Sequence, residues 1–239
     1  MTGKTTTNQN VIRASVRILT FRITREELLS LSRSNLIFGI FCTWIVGIGR
    51  YWDDPGAKPL QHFGIGSVIY IFALSLLLWL LIWPLRPKAW SYRNVLTFVS
   101  LTSPPAILYA IPVERFFSLA TARTLNVYFL AIVASWRVAL LVFYLRRHAR
   151  LRPASVAVAA LLPLTLIVTA LTELNLERAV FDLMGGLRAK GTANDNAYVV
   201  LFVLSYLSIM LFIPLVFCYL AIAVKEWVTA RKGQPSRDP

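Results

Sequence analysis

A chain of 239 residues that is 57% hydrophobic, with a mean hydropathy of +0.63, carries more apolar surface than a single soluble core can bury. Its net charge of +14 would point to nucleic acid in a soluble protein, but the Lys and Arg flank apolar runs, so membrane orientation explains them and nucleic acid is excluded as a partner. The two cysteines, Cys42 and Cys218, each sit inside an apolar run without Cys or His spacing, which excludes a disulfide framework and a zinc site; no cofactor is expected.

The first 35 residues read as an arm. Met1 to Asn10 is polar, and the first apolar run begins only near Leu36, too late for a cleaved signal peptide. Ile12, Val16, Leu19 and Ile23 recur at helical spacing among Arg13, Arg17 and Arg22, although 16–18 and 21–24 also alternate as a strand would. Thr24 to Glu27 has the form of a capping box opening a short helix that puts Leu28 and Leu31 on one face. Aliphatics on one side and arginines on the other suit a segment lying on anionic lipid; a solvated or partner-docking arm is the alternative.

Six spans follow, read as Leu36–Trp52, Gly64–Leu85, Val95–Val113, Leu125–Leu145, Ala154–Thr172 and Ala197–Val224. The fold class is therefore all-α, a polytopic bundle of six transmembrane helices over 36–224, with a tail at 225–239. Arm, second loop, fourth loop and tail hold 17 of the 25 Lys and Arg, and the other three loops balance theirs with acids. That alternation puts both termini in the cytoplasm of a cell with the protein in its inner membrane.

Arg137 stands inside the fourth span, about 12 Å from its Leu145 end. A guanidinium at that depth costs from about 2.5 kcal/mol upward unless it snorkels or finds partners. The third span offers some: Pro104 and Pro105 free the carbonyls of Ser100 and Leu101, near the hydroxyls of Ser100, Thr102 and Ser103. Arg137 is expected either to staple the third and fourth helices there or to hold a phosphate or carboxylate headgroup.

Two further constellations lie at the outer ends. Arg50-Tyr-Trp-Asp53-Asp54-Pro-Gly closes the first span; it reads as an aromatic belt, solvated acids and a turn, or as a cation or sugar platform. Asp53, Asp54 and His62 lack recognisable metal-ligand spacing, so no metal is assigned. Glu114 and Arg115 end the third span and Glu173 begins the fifth loop; with Arg50 they form one polar cluster if the outer helix ends converge. The fifth loop, 173–196, has an apolar stripe interrupted by Gly185-Gly186 and reads as an amphipathic lid, partner contact or connector. The chain contains no HExxH, P-loop or GxGxxG, and no span holds a histidine that could ligate haem.

These features favour a non-enzymatic permease-type or membrane-complex subunit, surrounded by lipid and working with protein partners or a second copy of itself. The alternatives are an enzyme acting on a lipid or lipid-linked substrate at the outer leaflet, and an auxiliary or assembly protein.

Overall fold

The computed structural model describes residues 11–52, 58–176 and 196–232, and among them every regular element is helical. We number the helices α1 (Val11–Leu19), α2 (Arg25–Leu29), α3 (Arg33–Gly49), α4 (Pro59–His62), α5 (Ile65–Ile82), α6 (Tyr92–Leu101), α7 (Leu119–Arg147), α8 (Pro153–Glu173) and α9 (Asn196–Lys232). Among the described residues, four segments are long and apolar enough to cross a membrane: Ile65–Leu85, Thr124–Arg147, Pro153–Glu173 and Val199–Ala230. They suggest a membrane protein. α3, at 17 residues, is a shorter apolar helix of about 25 Å.

The third apolar run departs from the continuous helix expected over Val95–Val113. α6 stops at Leu101, and the chain continues as 3-10 turns over Pro104–Ala110 and Val113–Arg115. Consecutive prolines cannot donate to an α-helical ladder, so the backbone tightens instead: Ser103 N donates to the Ser100 carbonyl (3.1 Å) and Ala106 N to Ser103 (2.9 Å). Such irregular backbone needs protein around it at membrane depth. Up to the break the cover is complete, since every residue from Val95 to Ser103 is buried with α3 and α5 packed against α6; the 3-10 segment itself, with α3 and α7 beside it, is mostly half-buried and leaves Ile107 exposed.

The other runs keep their predicted places but shift their ends. α3 starts earlier, at Arg33, because Ser32 and Asn35 cap one another (Ser32 N to Asn35 Oδ1, 2.9 Å). α7 begins at Leu119, where the Ser118 hydroxyl accepts from Thr121 N (3.4 Å). α9 runs on to Lys232 and is about 55 Å long; it packs chiefly on α8, and leaves Phe202, Ile213 and Phe217 exposed. The expected amphipathic stripe at Leu176–Leu187 falls almost wholly outside the described residues, as do Asp53 and Asp54.

The arm is helical rather than strand-like. Ile18, Ile23 and Leu28 are buried in the main core, while Ile12 and Val16 point outward. Trp136 of α7 donates its indole N–H to the Leu19 carbonyl (3.0 Å), and Phe21 meets Phe143 edge-on. The capping box forms: Glu27 N donates to the Thr24 hydroxyl (3.3 Å) and Thr24 N to the Glu27 carboxylate (2.8 Å). That amide bond, reinforced by Arg17 at 2.6 Å, holds the Glu27 carboxyl below the usual range against a smaller opposing effect of burial.

Basic segments collect at one end of the bundle. Trp227 of α9 donates to the Pro84 carbonyl (3.1 Å), takes Arg86 over its ring and meets Trp83 edge-on. Lys88 N donates to Ala149 (3.0 Å), and His148 Nε2 donates to Ala89 (3.3 Å). The α5–α6 connection, the end of α7 and the end of α9 are thereby tied together.

Candidate functional site

The site is built outward from a stripe of small residues. Asn35, Gly39, Thr43 and Gly47 recur every fourth residue of α3 and all are buried. Small residues at this spacing let helix backbones approach closely. A Cβ on Gly39 would lie 2.9 Å from Ser100 Cβ and 3.1 Å from Leu101 N, so α6 crosses α3 at that point. One turn on, the Thr43 hydroxyl donates to the Gly39 carbonyl (2.9 Å) and pairs with Ser103 Oγ at 2.8 Å. Near the end of the stripe, Gly47 is roofed by the Gly64 carbonyl and Ser67. Gly64 has φ of +66°, which admits the turn into α5, and Trp44 donates to the Phe63 carbonyl beside it (2.8 Å).

This crossing sets the 3-10 segment against the end of α3. Ala110 Cβ lies 3.0 Å from where a Gly49 Cβ would be, and Trp52 donates its indole N–H to the Ala110 carbonyl (3.0 Å). Arg50 therefore lies over the ring of Tyr109, 4.7 Å from its centre. Arg115 stands over Trp52 at 5.1 Å. Arg137 enters from α7. Helical side chains lean towards the N-terminus, here away from the basic end, and its guanidinium lies 5.9 Å from the ring centre of Tyr70 on α5. The Tyr109 phenol is within electrostatic range of Arg50, Arg137 and Tyr70 together.

Both guanidiniums are incompletely satisfied. Nε of Arg50 and Nη2 of Arg137 are buried without a hydrogen-bond partner. Among the described residues the one ion pair, Arg17 with Glu27, is in the arm. Cation–π contact offsets about 0.5–2 kcal/mol per arginine, whereas a guanidinium in the interior of a membrane-spanning helix, the setting α7 would give Arg137, costs about 2.5 kcal/mol or more.

The predicted candidates thus divide. Arg50 and Arg137, assigned to separate constellations on sequence, each lie over a tyrosine ring, Tyr109 and Tyr70 respectively, and Tyr109 is in electrostatic range of both. Ser100 and Ser103 are not brought to Arg137: Ser100 Oγ donates to the Thr97 carbonyl (2.9 Å) against α3, and Ser103 pairs with Thr43. The Ser100 carbonyl accepts from Ser103 N, and Arg137 makes no bond to it. Glu173 is exposed at the end of α8, and no contact among the described residues joins it to Arg50. Glu114 lies in the Val113–Arg115 turn with its side chain outside the described set, and Asp53 and Asp54 are outside it altogether. Among the described residues, no three His, Cys, Asp or Glu approach closely enough for a metal ion.

Sequence reasoning missed Tyr109 and Tyr70, which resemble ordinary interface tyrosines until the chain is folded. It also passed over the small-residue stripe of α3, whose four-residue spacing was legible. No protein-family model, curated protein or solved structure matches this chain.

Proposed function

We propose that the protein is a permease-type subunit of a membrane complex, crossing the inner membrane six times with both termini in the cytoplasm. α3 and the composite of α6 with its 3-10 continuation supply the two crossings beyond the four long helices. The clustering of the α5–α6, α7–α8 and α9 basic segments at one end supports the orientation, because Lys and Arg favour the cytoplasmic side. The arm's outward Ile12 and Val16 suit a segment lying at that surface. The subunit has a non-enzymatic role, and protein partners or a second copy have the exposed length of α9 to meet.

One observation carries the permease-type reading: an apolar segment broken at Thr102–Ser103, with Arg50 over Tyr109 of its 3-10 continuation and Arg137 in electrostatic range of the same tyrosine. Discontinuous membrane helices occur where a transporter handles a polar solute, since the broken backbone must line a cavity or be covered by protein. The test is solvent access at Ala110. In a Cys42→Ser, Cys218→Ser background, Ala110→Cys should react with a small hydrophilic thiol reagent that does not cross membranes. No reaction from either side would remove the permease-type reading and leave a purely structural break.

A further inference from the structure

We infer that Arg50, Arg137, Tyr109 and Tyr70 form a binding site for an anionic phosphoryl group. The inference rests on the reading that this cluster lines a space reachable from outside the bundle. Two guanidiniums come from different helices: Arg50, closing α3, lies 4.7 Å from the ring centre of Tyr109, and Arg137, from the interior of α7, lies 5.9 Å from that of Tyr70, with Tyr109 in electrostatic range of both. Each keeps a buried N–H without a partner. A merely structural arginine in a membrane normally satisfies its donors on backbone carbonyls or hydroxyls, and those nearest in sequence logic, on Ser100 and Ser103, are engaged with one another and with α3. Aromatic rings occupy guanidinium faces but not the N–H edges, which leaves the edges for an acceptor.

The chemistry selects the ligand class. Two separated guanidiniums present several N–H donors and two positive charges, which a phosphoryl group with its three-dimensional set of oxygens can engage at once; Arg is the residue type suited to that fork geometry. The tyrosine hydroxyls add neutral donors at the same place. Tyr70 is 42% exposed, so one flank of the cluster opens on the surface of α5 rather than into the core. A phosphodiester headgroup can approach from that flank, and free phosphate from the end of α3, where Arg50 lies near the exposed Trp52.

The test uses the full chain purified in a neutral detergent, with short-chain dioctanoyl phosphatidylglycerol and inorganic phosphate as separate probes and dioctanoylglycerol as the uncharged control. Binding is read by calorimetry. Wild type should bind one probe or both saturably and the control not at all. Binding of the lipid alone assigns a headgroup; binding of both assigns a free phosphoryl anion. Arg50→Gln and Arg137→Gln should each weaken binding about 10–100-fold, the loss of one charge-assisted contact. Tyr109→Phe, which preserves the ring under Arg50, should weaken it less. Should Arg137→Gln fail to fold, Arg137→Lys serves, since it keeps the charge but loses the fork. Absence of saturable binding, or binding indifferent to Arg50 and Arg137, overturns the assignment. A reactive cysteine at 110 in a protein that binds neither probe defeats this inference while sparing the permease-type reading; an unreactive one together with absent binding defeats both.

Discussion

The crossing of α3 and α6 at Gly39 is the joint on which the polar centre depends, and Gly39→Ala tests it. The new methyl would sit 2.9 Å from Ser100 Cβ and 3.1 Å from Leu101 N, with Ser100 Oγ closer still. Non-bonded carbons prefer about 3.5–4.0 Å, so α3 must retreat or Ser100 must move, and Ser100 is fully buried. Overpacking of this kind costs about 1–3 kcal/mol. The retreat also stretches the Thr43–Ser103 bond one turn on, about 1 kcal/mol more, while replacing a helical glycine returns up to about 1 kcal/mol. The expected net loss is about 2 kcal/mol, measured by chemical unfolding in detergent micelles followed by circular dichroism. Pairing Gly39→Ala with Ser100→Gly transfers the small residue to the other helix and removes the two nearest obstacles. The pair should recover about 1 kcal/mol relative to the sum of the single changes. A Gly39→Ala protein as stable as wild type, or simple additivity in the pair, would refute the packing account.

Other parts of the structure make separate predictions. Thr24→Ala removes the arm's capping hydroxyl and should cost α2 about 1 kcal/mol, read as faster tryptic cleavage at Arg22 and Arg25 with the melting temperature of the bundle little changed. Trp227→Leu removes an indole hydrogen bond, an edge-on ring contact and a cation–π contact, so it should lower stability by about 2 kcal/mol in thermal unfolding. His148 supplies a pH dependence. Burial pushes its pKa below 6.5, with Arg25 acting in the same sense and the Ala89 carbonyl opposing. Its folded value therefore lies below its unfolded one. The stability it contributes is complete above about pH 6.5 and is lost as pH falls from there through the folded value. The melting temperature of wild type should drop between pH 7.5 and pH 5 by more than that of His148→Gln; equal drops would show that His148 does not set the dependence.

Much of the architecture is legible in the chain because hydrophobic length is a strong signal, and the long apolar runs appear as α5, α7, α8 and α9. The break after Leu101 was present in the sequence as Pro104-Pro105, but prolines alone do not say whether a helix kinks and continues or tightens into 3-10 turns. The outcome depends on what covers the freed carbonyls, and here the local turn itself satisfies that of Ser100. Arg50 and Arg137 stand out from their apolar surroundings as residue types. Their tyrosine partners do not; that of Arg50 depends on how far α3 slides along α6, a register set by Gly39 and Thr43. Ser100 and Ser103 lie close to Arg137 in depth but are turned towards α3, and depth along a helix carries no information about face without the partner helix.

The broken third crossing is the central claim, and one labelling experiment addresses it. In the Cys42→Ser, Cys218→Ser background, single cysteines replace Lys88, before α6, and Phe116, after the 3-10 turns; both sites are well placed for labelling, and Phe116 is 74% exposed. Spheroplasts are treated with a maleimide that cannot cross the membrane, before and after permeabilisation. A cysteine at 116 should label in intact spheroplasts, and one at 88 only after permeabilisation. Labelling of both from the same side would contradict a third crossing and with it the six-span arrangement.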